Sequence, residues 1–308
     1  MCVGGQLGGV RILFFLMAML AGASVHAEAE PIRVTSLSTV MADLARDIGG
    51  ERVEVVELVK PGMDPHIFEP SPGDYRTISN SRILLASGLG FEGYLDKLRP
   101  VLEKSGVRPV VGGEVVKAIE GACEGHDHSE DHHHHGTADP HWWQSVSNVQ
   151  LVARQIRDAL IATDPEGQGT YKKNAAKLDV RLKDLGKWVR LQIVQLPKKN
   201  RVLVTSHDAL GYFAKDYGFE ILPVQGISTS DQPSSQKVRD LIGRIQERGV
   251  KAIFAESIEN PKVLGQITAE TGAKTSGVIY ADGLGSGETG TYEGMMRHNV
   301  TTIVEALK

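Results

Sequence analysis

The chain concentrates histidine, a common metal ligand, in one short stretch. Seven of its eleven histidines lie in GHDHSEDHHHHGTADPHWW, which runs from Gly125 to Trp143. The last of them, His141, follows an Asp-Pro pair, and the proline fixes φ and removes an amide donor just before the imidazole. The other six stand in a polar loop that metal binding must order, at about 1–2 kcal/mol per residue. The sequence therefore predicts a fixed ligand at His141 and weak metal sites at His126, His128, His132, His133, His134 and His135.

Three further residues share the context of His141. The Asp-Pro-His tripeptide recurs at His66, while His207 and Asp282 each follow an apolar strand pattern, in VLVTSHDALGYF and GVIYADGLG. Singly, such a histidine is more often a hydrogen-bonded loop or core residue, and such an aspartate a turn former. Open α/β sheets, however, bind ligands beyond the carboxyl ends of their strands. Two facing sheets would bring all four groups into one cleft, and three imidazoles with one carboxylate complete a tetrahedral set for Zn²⁺.

The elements that must position these residues are short apolar strands alternating with helices. In the first half, predicted strands span 32–36, 53–59, 82–87 and 108–111, with helices at 39–48, 72–79 and 91–105. In the second half, predicted strands span 201–205, 220–224, 251–255 and 274–279, with helices at 209–217, 235–248, 261–271 and 292–307. This alternation is typical of parallel sheets covered by helices on both faces.

A long helical pattern separates the two halves. After a helix predicted over 147–162, Asp164-Pro165 predicts the start of a second helix. Its apolar stripe then runs without further proline until Pro197, enough for a helix of ~30 residues and ~45 Å. VTSLS at Val34 and VTSHD at Val204 form a weak internal repeat. We therefore expect an α/β fold of two similar lobes, each a mostly parallel sheet flanked by helices and joined by one long helix. The predicted boundaries are 28–163 for the N-terminal lobe with a His-rich loop at 121–138, 164–197 for the connecting helix and 198–308 for the C-terminal lobe. The alternative is a single doubly wound sheet.

The first 27 residues have the pattern of a secretory signal. Arg11 precedes an apolar run, and small residues around His26 resemble a cleavage site near Ala27. No cysteine follows the run, so we expect an exported protein without a lipid anchor. Without this segment, 33 basic and 38 acidic residues give a net charge of −5, which argues against nucleic acid as a partner. Cys123 would be the one remaining cysteine, which excludes an internal disulfide.

Taken together, DPHIFEP, the His-rich stretch, DPHWW, TSHDALGYF and YADGLG resemble the cluster A-I solute-binding proteins of zinc and manganese ABC importers. The resemblance covers essentially the whole chain after the signal. It implies a periplasmic protein with a long connecting helix, which delivers its metal to an inner-membrane permease with a cytoplasmic ATPase. It also implies metal ligands at His66, His141, His207 and Asp282. Manganese binders of that family usually carry glutamate at the third position, and imidazole there favours zinc. Some zinc relatives have a C-lobe disulfide that this chain lacks.

Several alternatives stay open at this point. A manganese-preferring binding protein shares the pattern, and a zinc hydrolase would use three histidines with a water. A hydrolase needs an open coordination position, which Asp282 would fill, and a base, for which Glu69 and Asp64 are the nearby candidates. We therefore expect no enzyme activity. The His-rich loop could be an inert insertion, and surface adhesion could be a second role. We expect a monomer, with a periplasmic metallochaperone as a possible further partner.

Overall fold

The computed structural model describes residues 1–5, 30–121, 138–250, 252–258 and 262–308. The chain divides into two units, Met1–Glu30 and Pro31–Lys308. In the first unit, residues 1–5 and Glu30 are exposed and carry no regular structure. The predicted signal segment falls almost entirely on residues outside the described ranges. Across the described ranges, no helix combines the length and apolar character that crossing a membrane requires.

Two parallel four-stranded sheets form the framework of the second unit. The N-terminal sheet has the order β2-β1-β3-β4, and the C-terminal sheet repeats it as β6-β5-β7-β8. Their strands are β1 (Ile32–Ser36), β2 (Val53–Glu57), β3 (Ile83–Ala86), β4 (Arg108–Val111), β5 (Val202–Thr205), β6 (Glu220–Pro223), β7 (Ala252–Glu256) and β8 (Lys274–Ile279). The repeated order confirms the predicted α/β class with two similar sheets and excludes the single doubly wound sheet.

Nine helices in the described ranges cover and connect the sheets. They are α1 (Thr39–Gly49), α2 (Pro72–Ser79), α3 (Leu95–Ser105), α4 (Val146–Thr163), α5 (Gln168–Ile193), α6 (Gly211–Tyr217), α7 (Ser235–Arg248), α8 (Lys262–Thr271) and α9 (Tyr292–Leu307). Several begin at serine or threonine caps, which accept hydrogen bonds from first-turn amides. Ser38 caps α1, Ser234 caps α7 and Thr291 caps α9.

The long connecting helix is shorter than the sequence pattern suggested. The segment Pro165–Gly167 forms a 3₁₀ turn, and α5 then runs for 26 residues, about 39 Å at 1.5 Å per residue. The turn is held by Asp164, which accepts hydrogen bonds from Arg52 and from the Tyr171 hydroxyl. The predicted lobe boundaries at 163 and 197 stay predictions, since one apolar core runs through α4, α5 and α9 and reaches both sheets.

The prediction of helix from residue 91 was wrong by four residues. The chain after β3 makes a tight turn in which Leu89 has a left-handed φ of 55°. The buried carboxylate of Glu92 accepts hydrogen bonds from the amides of Ser87 and Gly88. These contacts hold residues 87–92 as a compact loop, so α3 begins only at Leu95. The loop places Phe91 near the carboxyl ends of the strands.

Candidate metal site

The four residues singled out in the sequence meet at one point. His66 lies on the chain after β2, His207 follows β5, Asp282 follows β8, and His141 directly precedes the 3₁₀ turn Trp142–Gln144. One ligand atom from each of the four lies within 4.8 Å of the others. Asp282 Oδ1 is 3.0 Å from His207 Nε2, 3.3 Å from His141 Nε2 and 3.5 Å from His66 Nε2. The loops after parallel strands therefore converge as expected.

The spacing of these atoms fits a small divalent cation. Zn–N bonds of about 2.0–2.1 Å place the ligand atoms of a tetrahedral site roughly 3.3 Å apart. His141 Nε2 and His66 Nε2 are 3.4 Å apart, and the contacts of Asp282 span the same range. The side chains are almost dry, with His141 and His207 at 0 %, Asp282 at 2 % and His66 at 5 % exposure. Three nitrogens and one oxygen thus face a common centre shielded from water.

Two further carboxylates orient two of the imidazoles. Asp139 Oδ1 accepts hydrogen bonds from both the backbone N and Nδ1 of His141, each at 2.8 Å. Glu256, at the end of β7, accepts from the amides of Ser206 and His207 at 3.0 and 3.2 Å and from His207 Nδ1. A carboxylate on Nδ1 holds the proton there and turns the lone pair of Nε2 toward the metal. Asp139 and Glu256 therefore fix the ring tautomer and direction.

The electrostatics of the metal-free site favour protons where a cation would bind. Burial disfavours the charged form of His141, yet hydrogen bonds to Asp139 and Asp282 raise its pKa. Burial acts the same way on His207, but the charges of Asp282 and Glu256 raise its pKa well above the ordinary value. For Asp282, burial is outweighed by the charge of His207 and the histidine hydrogen bonds, so its pKa falls well below the usual range. A metal ion would replace these protons as the countercharge.

Asp282 is fixed by the chain on both of its sides. The carbonyl of Ala281 accepts hydrogen bonds from Trp143 Nε1 and Gln144 Nε2, both at 2.7 Å. The amide of Leu284 donates to Thr39 Oγ1 at 2.8 Å, and a Cβ at Gly283 would lie 2.7 Å from the same oxygen. The glycine beside Asp282 thus permits a close approach between segments of the two predicted lobes. Trp143 also stacks edge to face on His141, with centroids 5.4 Å apart.

His66 is held differently from the other two histidines. Its ring packs edge to face on Phe91 with centroids 4.6 Å apart, whereas Phe68, two residues further along, packs on Tyr94 instead. Among the described residues, no group is hydrogen-bonded to His66 Nδ1. Asp64 contacts the main chain of His66 and not its ring, since its Oδ1 accepts from the amide of His66 at 2.9 Å. The two Asp-Pro-His tripeptides therefore differ: Asp139 is bonded to both the main chain and the ring of its histidine, whereas Asp64 is bonded only to the main chain of its histidine.

Three residues of this arrangement were not predicted from the sequence, and the predicted weak sites of the His-rich loop stay predictions. Glu256 and Phe91 were not singled out, and Asp139 was noted only as part of a tripeptide. A usable signal existed for Glu256, since an acidic residue ends the buried strand AIFAE next to β5. The loop histidines and Cys123 lie in residues 122–137, outside the described ranges. The chain on either side is joined by a bridge between Glu120 and Ala138, close in sequence to Asp139.

Comparisons with known proteins agree with this architecture. The family described as "ZnuA: Zinc-uptake complex component A periplasmic" matches residues 34–306. The manganese-binding lipoprotein MntA of Bacillus subtilis is 34 % identical over 296 residues, covering 91 % of this chain and 90 % of the relative. The iron-binding protein YfeA of Yersinia pestis is 32 % identical, covering 94 % and 90 %. The solved structure of the periplasmic zinc-binding protein TroA from Treponema pallidum is 29 % identical with a TM-score of 0.79, covering 90 % of this chain and 99 % of that one.

The names of these relatives share metal binding and differ in the metal: manganese, iron and zinc. Other relatives, such as FimA of Streptococcus parasanguinis, are named as substrate-binding lipoproteins of metal ABC transporters. The matched region spans both sheets and all four residues of the candidate site. The chain belongs to the family of the periplasmic component A of the zinc-uptake complex, whose members are metal-binding components of ABC importers.

Proposed function

We propose that this protein captures Zn²⁺ with high affinity between its two sheets and delivers it to the permease of an ABC importer. The observation that carries the proposal is the convergence of His66, His141, His207 and Asp282, whose ligand atoms lie within 4.8 Å of one another. In this proposal the zinc ion is cargo. The four side chains bind it, and the carboxylates of Asp139 and Glu256 hold two of the rings in the binding tautomer.

The ligand set supports zinc over manganese. Imidazole nitrogen suits Zn²⁺, whereas Mn²⁺ prefers carboxylate, carbonyl and water oxygens and higher coordination numbers. Here three of four ligands are imidazoles, and the His66–His141 distance and the three contacts of Asp282, at 3.0–3.5 Å, lie close to the edge of about 3.3 Å of a tetrahedral site. A manganese-preferring protein is the second candidate, favoured by the 34 % identity to a protein named as manganese-binding.

The same geometry argues against a zinc hydrolase. A catalytic zinc keeps one position for water or substrate, and here a carboxylate points at the fourth position. The two candidate bases are also placed unfavourably: Glu69 is exposed, and Asp64 is hydrogen-bonded to the His66 amide and the Thr229 hydroxyl. We therefore propose a binding and transport role without enzyme activity.

The remaining parts of the proposal concern location and partners. We place the protein in the periplasm as a monomer, released from its signal near Ala27, with a permease, an ATPase and a metallochaperone as partners. We further propose that the six loop histidines add weak zinc sites that raise the chance of capture. The acidic residues of that loop would attract cations, and the described chain before and after it is paired by the bridge between Glu120 and Ala138, three residues before His141.

Ligand replacement and metal competition test the proposal. Replacing His66, His141, His207 or Asp282 with alanine should weaken zinc binding by more than the 10–100-fold typical of outer-shell changes. His298→Ala is the matched control, because His298 is exposed and bonds only the Val278 carbonyl among the described residues. Competition titrations should show zinc binding more tightly than manganese. Wild-type affinity in His207→Ala would overturn the site, and preference for manganese would favour the second candidate.

A further inference from the structure

The segment that carries His66 is the least constrained part of the candidate site. Residues 58–71, here called the His66 arm, contain neither helix nor strand and connect β2 to α2. Much of the arm faces solvent: Gly62 and Glu69 are exposed, Met63 is 38 % exposed and Ile67 is 64 % exposed. The arm therefore has a solvent-facing side toward which the middle of the arm could move, whereas Leu58 and Phe68 pack against a buried apolar cluster.

The other three ligands, His141, His207 and Asp282, are each held by buried hydrogen bonds, and they are here called the braced unit. His141 is fixed by Asp139, and His207 by Glu256. Asp282 follows Ala281, whose carbonyl is bonded to the indole of Trp143. Each of these contacts is almost fully buried, so moving any one ligand would break protected hydrogen bonds. His66 lacks such a partner on its ring among the described residues.

Apart from the contacts of the His66 ring itself, one hydrogen bond among the described residues ties the His66 arm to the C-terminal sheet region. Thr229 Oγ1 donates to Asp64 Oδ2 at 2.8 Å, while the other oxygen of Asp64 accepts from the His66 amide. One carboxylate thus joins the backbone of a ligand to a residue 165 positions away.

Thr229 itself is presented by a compact turn between β6 and α7. Asp231 N donates to the carbonyl of Ser228 at 3.1 Å. Asp231 Oδ2 lies so close to Gly226 that a Cβ there would be 2.4 Å from this oxygen. The carbonyl of Gly226 accepts from the amide of Asp208 at 2.9 Å. Because Asp208 adjoins His207, the turn that holds the arm is anchored beside a ligand of the braced unit.

We propose that Thr229 and Asp64 are positioning residues that latch the His66 arm over the bound metal, and that metal release begins with His66 leaving. This inference rests on the proposed function. When the Thr229–Asp64 hydrogen bond breaks, the arm loses its tie to the braced unit and carries His66 away from the cleft. The metal then keeps three ligands, His141, His207 and Asp282, and gains an open position for water or for an incoming group of a partner.

Zinc release kinetics of Thr229 variants test the latch. Thr229→Val keeps the shape and removes the hydroxyl, and Thr229→Ser keeps the hydroxyl as the matched control. With zinc-loaded protein mixed with excess chelator, Thr229→Val should release zinc about threefold to tenfold faster, the effect of one lost hydrogen bond. Thr229→Ser should stay within about twofold of wild type. Equal release rates for wild type and Thr229→Val would overturn the latch.

A double-mutant cycle separates positioning from general loosening of the fold. In a His66→Ala background the arm carries no ligand, so Thr229→Val should leave the release rate unchanged. Acceleration of the same size in that background would overturn the role of Thr229 in positioning His66. The result that contradicts the proposed function is different: neither His66→Ala nor His207→Ala would then weaken zinc binding at all. That outcome would contradict both proposals. If instead the ligand variants lose zinc affinity and Thr229→Val releases zinc at the wild-type rate, only the latch is contradicted.

Discussion

Glu256→Gln is a sharp test of the geometry because it removes a charge while keeping size and shape. Glu256 uses one oxygen for the amides of Ser206 and His207 and the other for His207 Nδ1. A glutamine offers only one acceptor oxygen and one amide group. With its oxygen on the two backbone amides, its NH₂ faces Nδ1, and His207 must carry its proton on Nε2. That proton then points at Asp282, where the metal would bind.

The magnitude follows from the alternatives open to the variant. To bind zinc, His207 must return its proton to Nδ1 against the glutamine NH₂, or the glutamine must turn and leave two buried amides without an acceptor. An unsatisfied buried polar group costs about 1–3 kcal/mol, so zinc affinity should fall roughly 5- to 150-fold. This agrees with the ~10–100-fold typical of groups that orient metal ligands.

The assay is a competition titration against a chromophoric zinc chelator at constant pH. Glu220→Gln is the matched control, since Glu220 is an acidic residue of the same sheet region that pairs with Arg248 at 3.0 Å, away from the four ligands. The melting temperature of each metal-free variant checks that the fold survives. If Glu256→Gln bound zinc within twofold of wild type, the carboxylate would not set the ring tautomer, and the argument would fail.

Three further predictions follow from the same structure. Protons compete with zinc for His141 and His207, whose pKa values are raised in the metal-free protein, so zinc affinity should already decline at pH values above about 6.5 and keep falling as the pH drops further; a flat affinity from about pH 5 to 7.5 would contradict imidazole ligation. Deleting residues 123–135 should remove weak sites and leave the tight one, as read by titration; losing the tight site would move the chemistry into the loop. Burial raises the pKa of Asp43 to about 6 although it accepts from the Tyr292 amide. Between about pH 4 and 6 the folded state therefore binds one more proton at Asp43 than the unfolded state does. The free energy of unfolding should fall as the pH rises through that window, by at most about 3 kcal/mol. Asp43→Asn should flatten this fall in denaturation measured at several pH values, and an unchanged slope would contradict the argument.

Much of the framework was predictable because strand and helix periods are local. The eight strands lie within two residues of their predicted ends, since each is a short apolar run between polar turns. The start of α3 was not predictable, because the loop before it is set by Glu92 contacting amides that precede it in the chain. The same holds for the turn before α5, which depends on Arg52 reaching Asp164 across 112 positions.

The candidate site shows the same division. His66, His141, His207 and Asp282 could be grouped from sequence because their types and their places after strands are local signals. Glu256 could not be paired with His207 without knowing that β5 and β7 are neighbours. The contact between Asp64 and Thr229 joins two loops with no shared pattern. Ligand identity is therefore readable from sequence, whereas ring orientation and the tie across the cleft depend on tertiary contacts.

The position of Glu256 also bears on the choice between zinc and manganese. By resemblance, manganese binders usually carry glutamate where this chain has His207. A carboxylate introduced by His207→Glu would lie against Glu256, which is 7 % exposed, and near Asp282. Like charges at such a buried site raise each other's pKa and disfavour the ionised form.

His207→Glu alone should therefore weaken zinc binding without producing tight manganese binding. Adding Glu256→Gln removes the repulsion and supplies an NH₂ donor for the introduced carboxylate, so the double variant should gain manganese affinity relative to His207→Glu. Zinc and manganese titrations of the wild type, the two single variants and the double variant measure this coupling. A complete switch to manganese in His207→Glu alone would show that Glu256 has no part in metal choice. Additive effects of the two substitutions would lead to the same conclusion, because the argument requires that the carboxylate behind position 207 and the ligand at it act as a pair.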